Sequence, residues 1–269
     1  MSDFPVFCVF GLGDAGARIA GDLASAGVDV HGYDPAEVAT PPGVVRHQEP
    51  GPAAAGAGVV LAVTAAADAT AALIQALDVI SRDAVYADLA TAPPALKRSL
   101  GTIAREVGVG FADVALMAVV AGTGLRTPAL ASGPAARDFV AAMAPLGMPV
   151  EHAGDEPGGA ATRKLLRSVF MKGLAAVVIE SMRAADAADL AGETWANIVG
   201  QITAADEELL RRLVTGTPRH AARRVHEMEA AAALLSELGV EPTMTDATTA
   251  HLRRVEADPA LVPDLPRTL

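Results

Sequence analysis

The run Val6–Phe10 leads directly into Gly11-Leu12-Gly13-Asp14-Ala15-Gly16, and this junction constrains the fold more than any other part of the chain. The spacing is Gly-x-Gly-x-x-Gly, after a strand-like apolar run and at the opening of a helical stretch, Asp14–Ala26. Gly11 permits a tight turn, Gly13 lets the backbone approach a pyrophosphate, and Gly16 lets the helix pack close to the strand. Leu12, Asp14 and Ala15 complete the loop, where a helix N-terminus presents amides to phosphate oxygens. The next apolar run, Val28–Tyr33, ends at Asp34, 18 residues beyond Gly16. A carboxylate there accepts hydrogen bonds from the ribose hydroxyls of an adenosine. Thr64, after the run Gly58–Val63, joins the candidate cofactor residues. Asp34 repels a 2′-phosphate and no arginine follows directly in Pro35-Ala36-Glu37, so NAD is expected; Arg46 folding back would admit NADP. A glycine turn without a dinucleotide and a loop for S-adenosylmethionine are the rival readings.

The first half of the chain continues this alternation. Val44–His47, Val85–Leu89, Val109–Leu116 and Pro128–Ser132 read as further strands, with helices at Ala66–Ile80, Pro94–Val107 and Pro134–Leu146. Continuous apolar strands between helices imply a mostly parallel sheet covered on both faces. Pro41-Pro42-Gly43 and Glu49-Pro50-Gly51-Pro52 read as turns. Beyond Gly154-Asp155-Glu156-Pro157-Gly158-Gly159 no strand pattern continues. Ala160–Leu190, Gly192–Val214, Arg219–Leu238 and Thr243–Ala257 read as helices. The expected architecture is an α/β Rossmann-type domain over residues 1–157 and an all-α domain over 158–269, with the active cleft between them.

Composition narrows the function classes. At 51% hydrophobic the chain can bury a large core, and a net charge of −11 argues against a nucleic-acid partner. A single cysteine, Cys8, excludes an internal disulfide, and no Cys/His set suggests a metal. The longest apolar stretch, Val114–Ala121, is far below the ~20 residues of a membrane helix, and the N-terminus has no positive segment of a secretory signal. A cytoplasmic protein without a membrane partner is expected.

The chain has three lysines, Lys97, Lys164 and Lys172, against 18 arginines. Coding bias explains such scarcity, yet lysine can give up its proton and arginine does not. Lys97, beside Arg98, reads as part of a solvated helix face. Lys164, Ser168 and Lys172 fall at i, i+4 and i+8 on one helical stripe among Leu165, Leu166, Val169, Phe170, Leu174 and Val177, so a largely buried helix is expected. A neutral amine there takes a proton from a hydroxyl and its conjugate acid returns one. The competing reading has the lysine stems packing and the ammonium groups reaching water.

These segments resemble the β-hydroxyacid dehydrogenase superfamily, which includes 6-phosphogluconate and 3-hydroxyisobutyrate dehydrogenases. Phe10–Gly16 is similar to its cofactor loop and Asp88-Leu89-Ala90-Thr91-Ala92-Pro93-Pro94 to its D-x-S-T-x-x-P segment. Asp113–Val119 occupies the place of D-A-P-V-S-G-G, and Gly159–Ser168 that of G-x-x-x-x-K-x-x-x-N. The resemblance implies that Lys164 is the general acid/base, that Ser168 holds substrate, and that Thr91 lies near nicotinamide and substrate. The family serine is Ala90 here and its S-G-G positions read Met117-Ala118-Val119, so the usual carboxylate cradle is not intact. Arg219–Glu229 and Leu238–Pro242 resemble a bacterial branch with a phosphogluconate-dehydrogenase-like C-terminal domain.

The expected activity is hydride transfer between a nicotinamide cofactor and a small hydroxy acid or related anionic alcohol. Met117, Lys172, Arg223 and Arg224 are the candidate substrate contacts. For Arg223 and Arg224 the leading alternative is pairing with Glu227 on a solvated helix face. A homodimer through the helical domain is implied by the resemblance alone. The alternatives are imine or ketone reduction in the same cleft, and a non-catalytic dinucleotide-binding sensor.

Overall fold

The computed structural model describes residues 4–266, which divide into two compact units, one up to Arg167 and one from Ser168. The first unit is built on one sheet. Its strands are β1 (Phe7–Phe10), β2 (Val30–Tyr33), β3 (Val44–His47), β4 (Val59–Ala62), β5 (Val85–Asp88), β6 (Gly110–Leu116), β7 (Ala129–Ser132) and β8 (Val150–His152). Their spatial order is β3-β2-β1-β4-β5-β6-β7-β8. The first six strands are mutually parallel, β7 pairs antiparallel with β6, and β8 lies parallel to β7.

Alternation along β1 shows why the sheet needs cover on both sides. Phe7 and Val9 join one buried cluster with Ile19 and Leu23 of α1 (Asp14–Ser25) and Phe139 and Met143 of α5 (Ala136–Met143). Cys8 and Phe10 join another with Leu73 of α3 (Ala69–Leu77) and Leu100 of α4 (Pro94–Glu106). Successive strand side chains point to opposite faces, so two apolar faces call for two helical layers. The chain order reverses between β1 and β4, which opens a crevice at the carboxyl ends of the strands.

Three local expectations need correction. The segment read as a turn at residues 49–52 forms a short helix, α2 (Pro50–Ala54), because proline at a first helical position costs no hydrogen bond. β8 was not expected; it is three residues long and none is fully buried, so it carries little apolar signal. The single helix expected over Gly192–Val214 is two, α7 (Ala191–Thr203) and α8 (Glu207–Thr215). Asp206 separates them by capping α8, its Oδ1 accepting from Leu209 N at 2.8 Å.

The long helix α6 (Gly159–Ala187) supplies its first turns to the first unit and the rest to the second. With α7 and α8, α9 (Thr217–Glu237) and α10 (Thr243–Ala257) complete the helical region. Ala184 of α6, Leu235 of α9 and Val240 form a small buried cluster there. The lysine-bearing stretch of α6 is not buried in the single chain. Leu166 is 66%, Val169 74% and Phe170 61% exposed, because no element of the described chain covers that face.

Candidate active site

The glycine loop begins where β1 ends. Gly11 has φ +88°, and a Cβ on it would lie 2.3 Å from the Val63 carbonyl oxygen, so both conformation and space require glycine. A Cβ on Gly16 would meet the Gly11 carbonyl oxygen at 1.8 Å, which fixes the close approach of α1 to the loop. Gly13 differs: a Cβ there would meet nothing within 4 Å. Its freedom faces open space and not packed protein, as a backbone approached by a ligand requires.

Asp34 follows β2 and is tied to the same loop. Its Oδ2 accepts from Leu12 N at 2.7 Å and its Oδ1 from Ala36 N at 2.9 Å. Gly11, Gly13, Asp34 and Thr64 share the walls of a cavity of ≈ 340 Å³ over the crevice between β1 and β4. Thr64 Oγ1 is buried without a hydrogen-bond partner. An orphaned hydroxyl beside an open glycine backbone fits a polar ligand, and a dinucleotide supplies the acceptors and hydroxyls that such a wall lacks. Arg46 does fold back on this region, but its guanidinium donates to the carbonyl oxygens of Asp34, Ala36 and Val38 and so fastens the turn after β2.

Along the same carboxyl edge, β5 ends at Asp88 and the chain turns through Ala90 and Thr91. Lys164, in the second turn of α6, donates from Nζ to Thr91 Oγ1 at 2.8 Å. Two of the three candidate catalytic residues, 73 positions apart in sequence, are thus in direct contact. Ala90 is buried and leaves only its amide there, which donates to Asp88 Oδ1 at 2.9 Å. Met117, just past β6, is half-buried, and its amide donates to Pro128 O at 2.7 Å.

The other candidates lie in the second unit and make local contacts. Ser168 accepts from Lys172 Nζ at 3.4 Å, a long bond between exposed groups. Arg223 pairs with Glu227 one turn on. Arg224 donates to Thr217 Oγ1 and lines a largely apolar cavity of ≈ 770 Å³ with Met228, His251 and Leu252.

Lys97 overturns the expectation of a solvated lysine. It is completely buried, and so are Asp88 and Asp113. Those aspartates are register partners on the parallel strands β5 and β6, Asp88 at the end of β5 and Asp113 in the middle of β6. Lys97 Nζ lies 3.2 Å from Asp88 Oδ2 and 3.2 Å from Asp113 Oδ1, and donates to the Asp88 carbonyl oxygen at 2.8 Å. No hydrogen bond of good geometry reaches either carboxylate oxygen, so the ammonium is what faces them. Asp113 Oδ2 accepts from Ser132 Oγ, Gly158 N and Ala161 N at 3.0–3.1 Å, and Ser132 Oγ accepts from Ala160 N. Burial pushes the Asp88 carboxyl above its ordinary range, more than Lys97 and the Ala90 amide pull it down. A signal for Lys97 was present in the sequence: with Leu100, Gly101 and Ala104 it occupies the i, i+3, i+4, i+7 stripe that α4 buries.

Residues 6–133 match the NAD binding domain of 6-phosphogluconate dehydrogenase, and residues 185–255 match a domain of unknown function, DUF1932. No curated protein matches the sequence. Among solved structures, a conserved hypothetical protein from Sinorhizobium meliloti 1021 is 26% identical, with TM-score 0.62 over 95% of this chain and 90% of that one. The imine reductase from Myxococcus stipitatus, solved with NADP+, is 19% identical, with TM-score 0.79 over 93% and 94% of the two chains. The conserved protein MTH1747, described as structurally similar to 3-hydroxyacid dehydrogenases, is 23% identical, with TM-score 0.59 over 96% and 99%. The chain thus joins a segment that matches the NAD binding domain of 6-phosphogluconate dehydrogenase to one that matches DUF1932.

Proposed function

We propose that this NAD(P)-binding oxidoreductase acts on a small hydroxy acid or related anionic alcohol, with Lys164 as its proton-transfer residue and Thr91 as the hydroxyl that orients it. The observation that carries the reading is the 2.8 Å contact between Lys164 Nζ and Thr91 Oγ1 on the strand edge that also bears the glycine loop. A bound nicotinamide dinucleotide supplies or accepts the hydride. Gly11–Gly16 holds its pyrophosphate and Asp34 its ribose. In the oxidative direction Lys164 Nζ, neutral, takes the proton of the substrate hydroxyl; in the reductive direction the ammonium returns it. Such transfer contributes ~10²–10⁴-fold to a rate.

NAD is the preferred dinucleotide in this reading. The Asp34 carboxylate opposes a 2′-phosphate, and Arg46 is engaged with three backbone carbonyls. Met117, in the same unit as Lys164 and Thr91, is the further substrate contact in this reading.

A second copy of the chain completes the helical region. Leu166, Val169, Phe170, Gly173 and Val177 fall at i, i+3, i+4, i+7 and i+11 of α6, and a Cβ on Gly173 would meet nothing within 4 Å. Exposed apolar stripes of this kind mark association surfaces.

Imine or ketone reduction is the second reading. It is favoured by the buried methyl of Ala90 and by the apolar Met117-Ala118-Val119, which offer a carboxylate little to bind. The deciding experiment titrates NAD and NADP, then follows reduced-nicotinamide absorbance with hydroxy acids in one direction and with ketones and imines in the other. Oxidation of a hydroxy acid with NAD supports the first reading. Turnover confined to imines or neutral ketones overturns it in favour of the second, and tight binding without turnover across both panels leaves a dinucleotide sensor.

A further inference from the structure

We propose that Lys97 is a positioning residue: with Asp88 and Asp113 it forms a buried clamp that sets the contact between Thr91 and Lys164. This rests on the reading of Lys164 as the proton-transfer residue. The clamp joins two pieces of chain that carry the pair. On one side, Asp88 Oδ1 holds Ala90 N, and Lys97 holds the Asp88 carbonyl, so the turn leading to Thr91 is fixed from its first residue. On the other side, Asp113 Oδ2 takes Gly158 N and Ala161 N, while Ser132 Oγ takes Ala160 N, so the first turn of α6 is fixed at its amides. Thr91 lies three residues beyond Asp88, and Lys164 three beyond Ala161. Neither span has room to absorb a displacement of the clamp without moving the side chain it carries.

Lysine suits this place for a chemical reason. The two carboxylates are register partners on adjacent strands, and like charges so placed oppose pairing. A compact ammonium offers three donors in different directions and meets three oxygens, at 2.8, 3.2 and 3.2 Å. The planar guanidinium of arginine matches one carboxylate in a fork and does not converge on three such oxygens. A chain that otherwise uses arginine therefore keeps lysine here.

The test uses the scarcity of lysine. Competitive acetylation of the intact protein over a pH series, read residue by residue by mass spectrometry, follows Lys164 with the exposed Lys172 as internal reference and needs no substrate. The variant is Asp88→Asn with Lys97→Met. It leaves Asp113 with its three donors, keeps the Ala90 bond through the asparagine oxygen, and preserves the formal charge of the cluster. In the wild type Lys164, held against Thr91, is expected to label more slowly than Lys172. In the folded variant we expect that difference to be lost and the pH midpoint of Lys164 to move, with dinucleotide affinity unchanged and kcat down roughly 10²-fold, as for an ångström-scale misplacement. Wild-type labelling and midpoint in a folded variant overturn the clamp. Should that variant not fold, Lys97→Arg keeps the charge but not the convergence on three oxygens, and unchanged Lys164 labelling there overturns the clamp equally. Failure of the proposed function reads differently: Lys164→Met then retains turnover while the labelling contrast stands.

Discussion

Two carboxylates in this chain hold the start of a helix from outside it, one in each compact unit. Asp113 takes the amides of Gly158 and Ala161 at the start of α6 and the hydroxyl of Ser132 at the end of β7. Glu180 takes the amides of Met244 and Thr245 and the hydroxyl of Thr245 at the start of α10. The donor sets are alike: two amides and one hydroxyl. The surroundings are not. Asp113 is fully buried beside a second buried carboxylate and needs Lys97, whereas Glu180 is only half-buried and needs no lysine. Helix amides alone satisfy a carboxylate that water also reaches; two carboxylates withdrawn from water need a cation besides.

The comparison breaks most visibly at Lys97. Lys97→Met leaves two buried carboxylates facing each other, and it is expected to cost about 3–5 kcal/mol in urea unfolding followed by circular dichroism. A loss no larger than that of an ordinary surface substitution would contradict the role given to the ammonium. Glu180→Gln is the milder counterpart, because the amide still accepts from one donor. It is expected to cost about 1–2 kcal/mol, the usual worth of a helix cap. Trp195 on α7 is the only tryptophan, so fluorescence reports this loss in the second unit directly.

The pH dependence sharpens the comparison further, with the smallest effects. Burial raises the Asp88 carboxyl above its ordinary value of 3.8, so its contribution is full below that value and lost as the pH rises through the raised one. Glu180 has the opposite sign. Partial burial pushes it up, but the Thr245 hydroxyl, the Met244 and Thr245 amides and Arg183 together hold it below its ordinary value of 4.5. Its contribution is full above that value and lost as the pH falls through the lowered one. Relative to the wild type, Asp88→Asn is therefore expected to gain stability as the pH rises through the raised Asp88 value, and Glu180→Gln to lose it as the pH rises through the lowered Glu180 value. Parallel slopes in urea unfolding would show that the two sites are not electrostatically distinct.

The same contrast explains what was legible in the sequence. β1 and β4 were readable because burial on both faces writes them as continuous apolar runs, and the glycine loop because turn, close approach and helix start each demand a residue type. Val44–His47 and Thr243–Ala257 have the bounds that their patterns suggest. β8 was not readable, since Glu151 and His152 give it no apolar character, and the break before α8 rests on Asp206 alone. The exposure of α6 was hidden because an apolar helix reads the same whether its own chain or another covers it. The burial of Lys97 was written in its stripe with Leu100, Gly101 and Ala104 but masked by its neighbour Arg98, and the clamp joins segments that only the sheet brings together. The contact of Thr91 with Lys164 likewise needs the pairing of β5 with β6 and the start of α6 to exist at all.

The central claim is that Lys164, held against Thr91 beside a dinucleotide site, moves the proton of the reaction. Its most direct test is the turnover of Lys164→Met on a substrate that the wild type accepts, measured with dinucleotide affinity on the same preparation. The account predicts unchanged dinucleotide binding and a kcat lowered by ~10²–10⁴-fold. A Lys164→Met enzyme that binds the dinucleotide normally and turns over at close to the wild-type rate would contradict it.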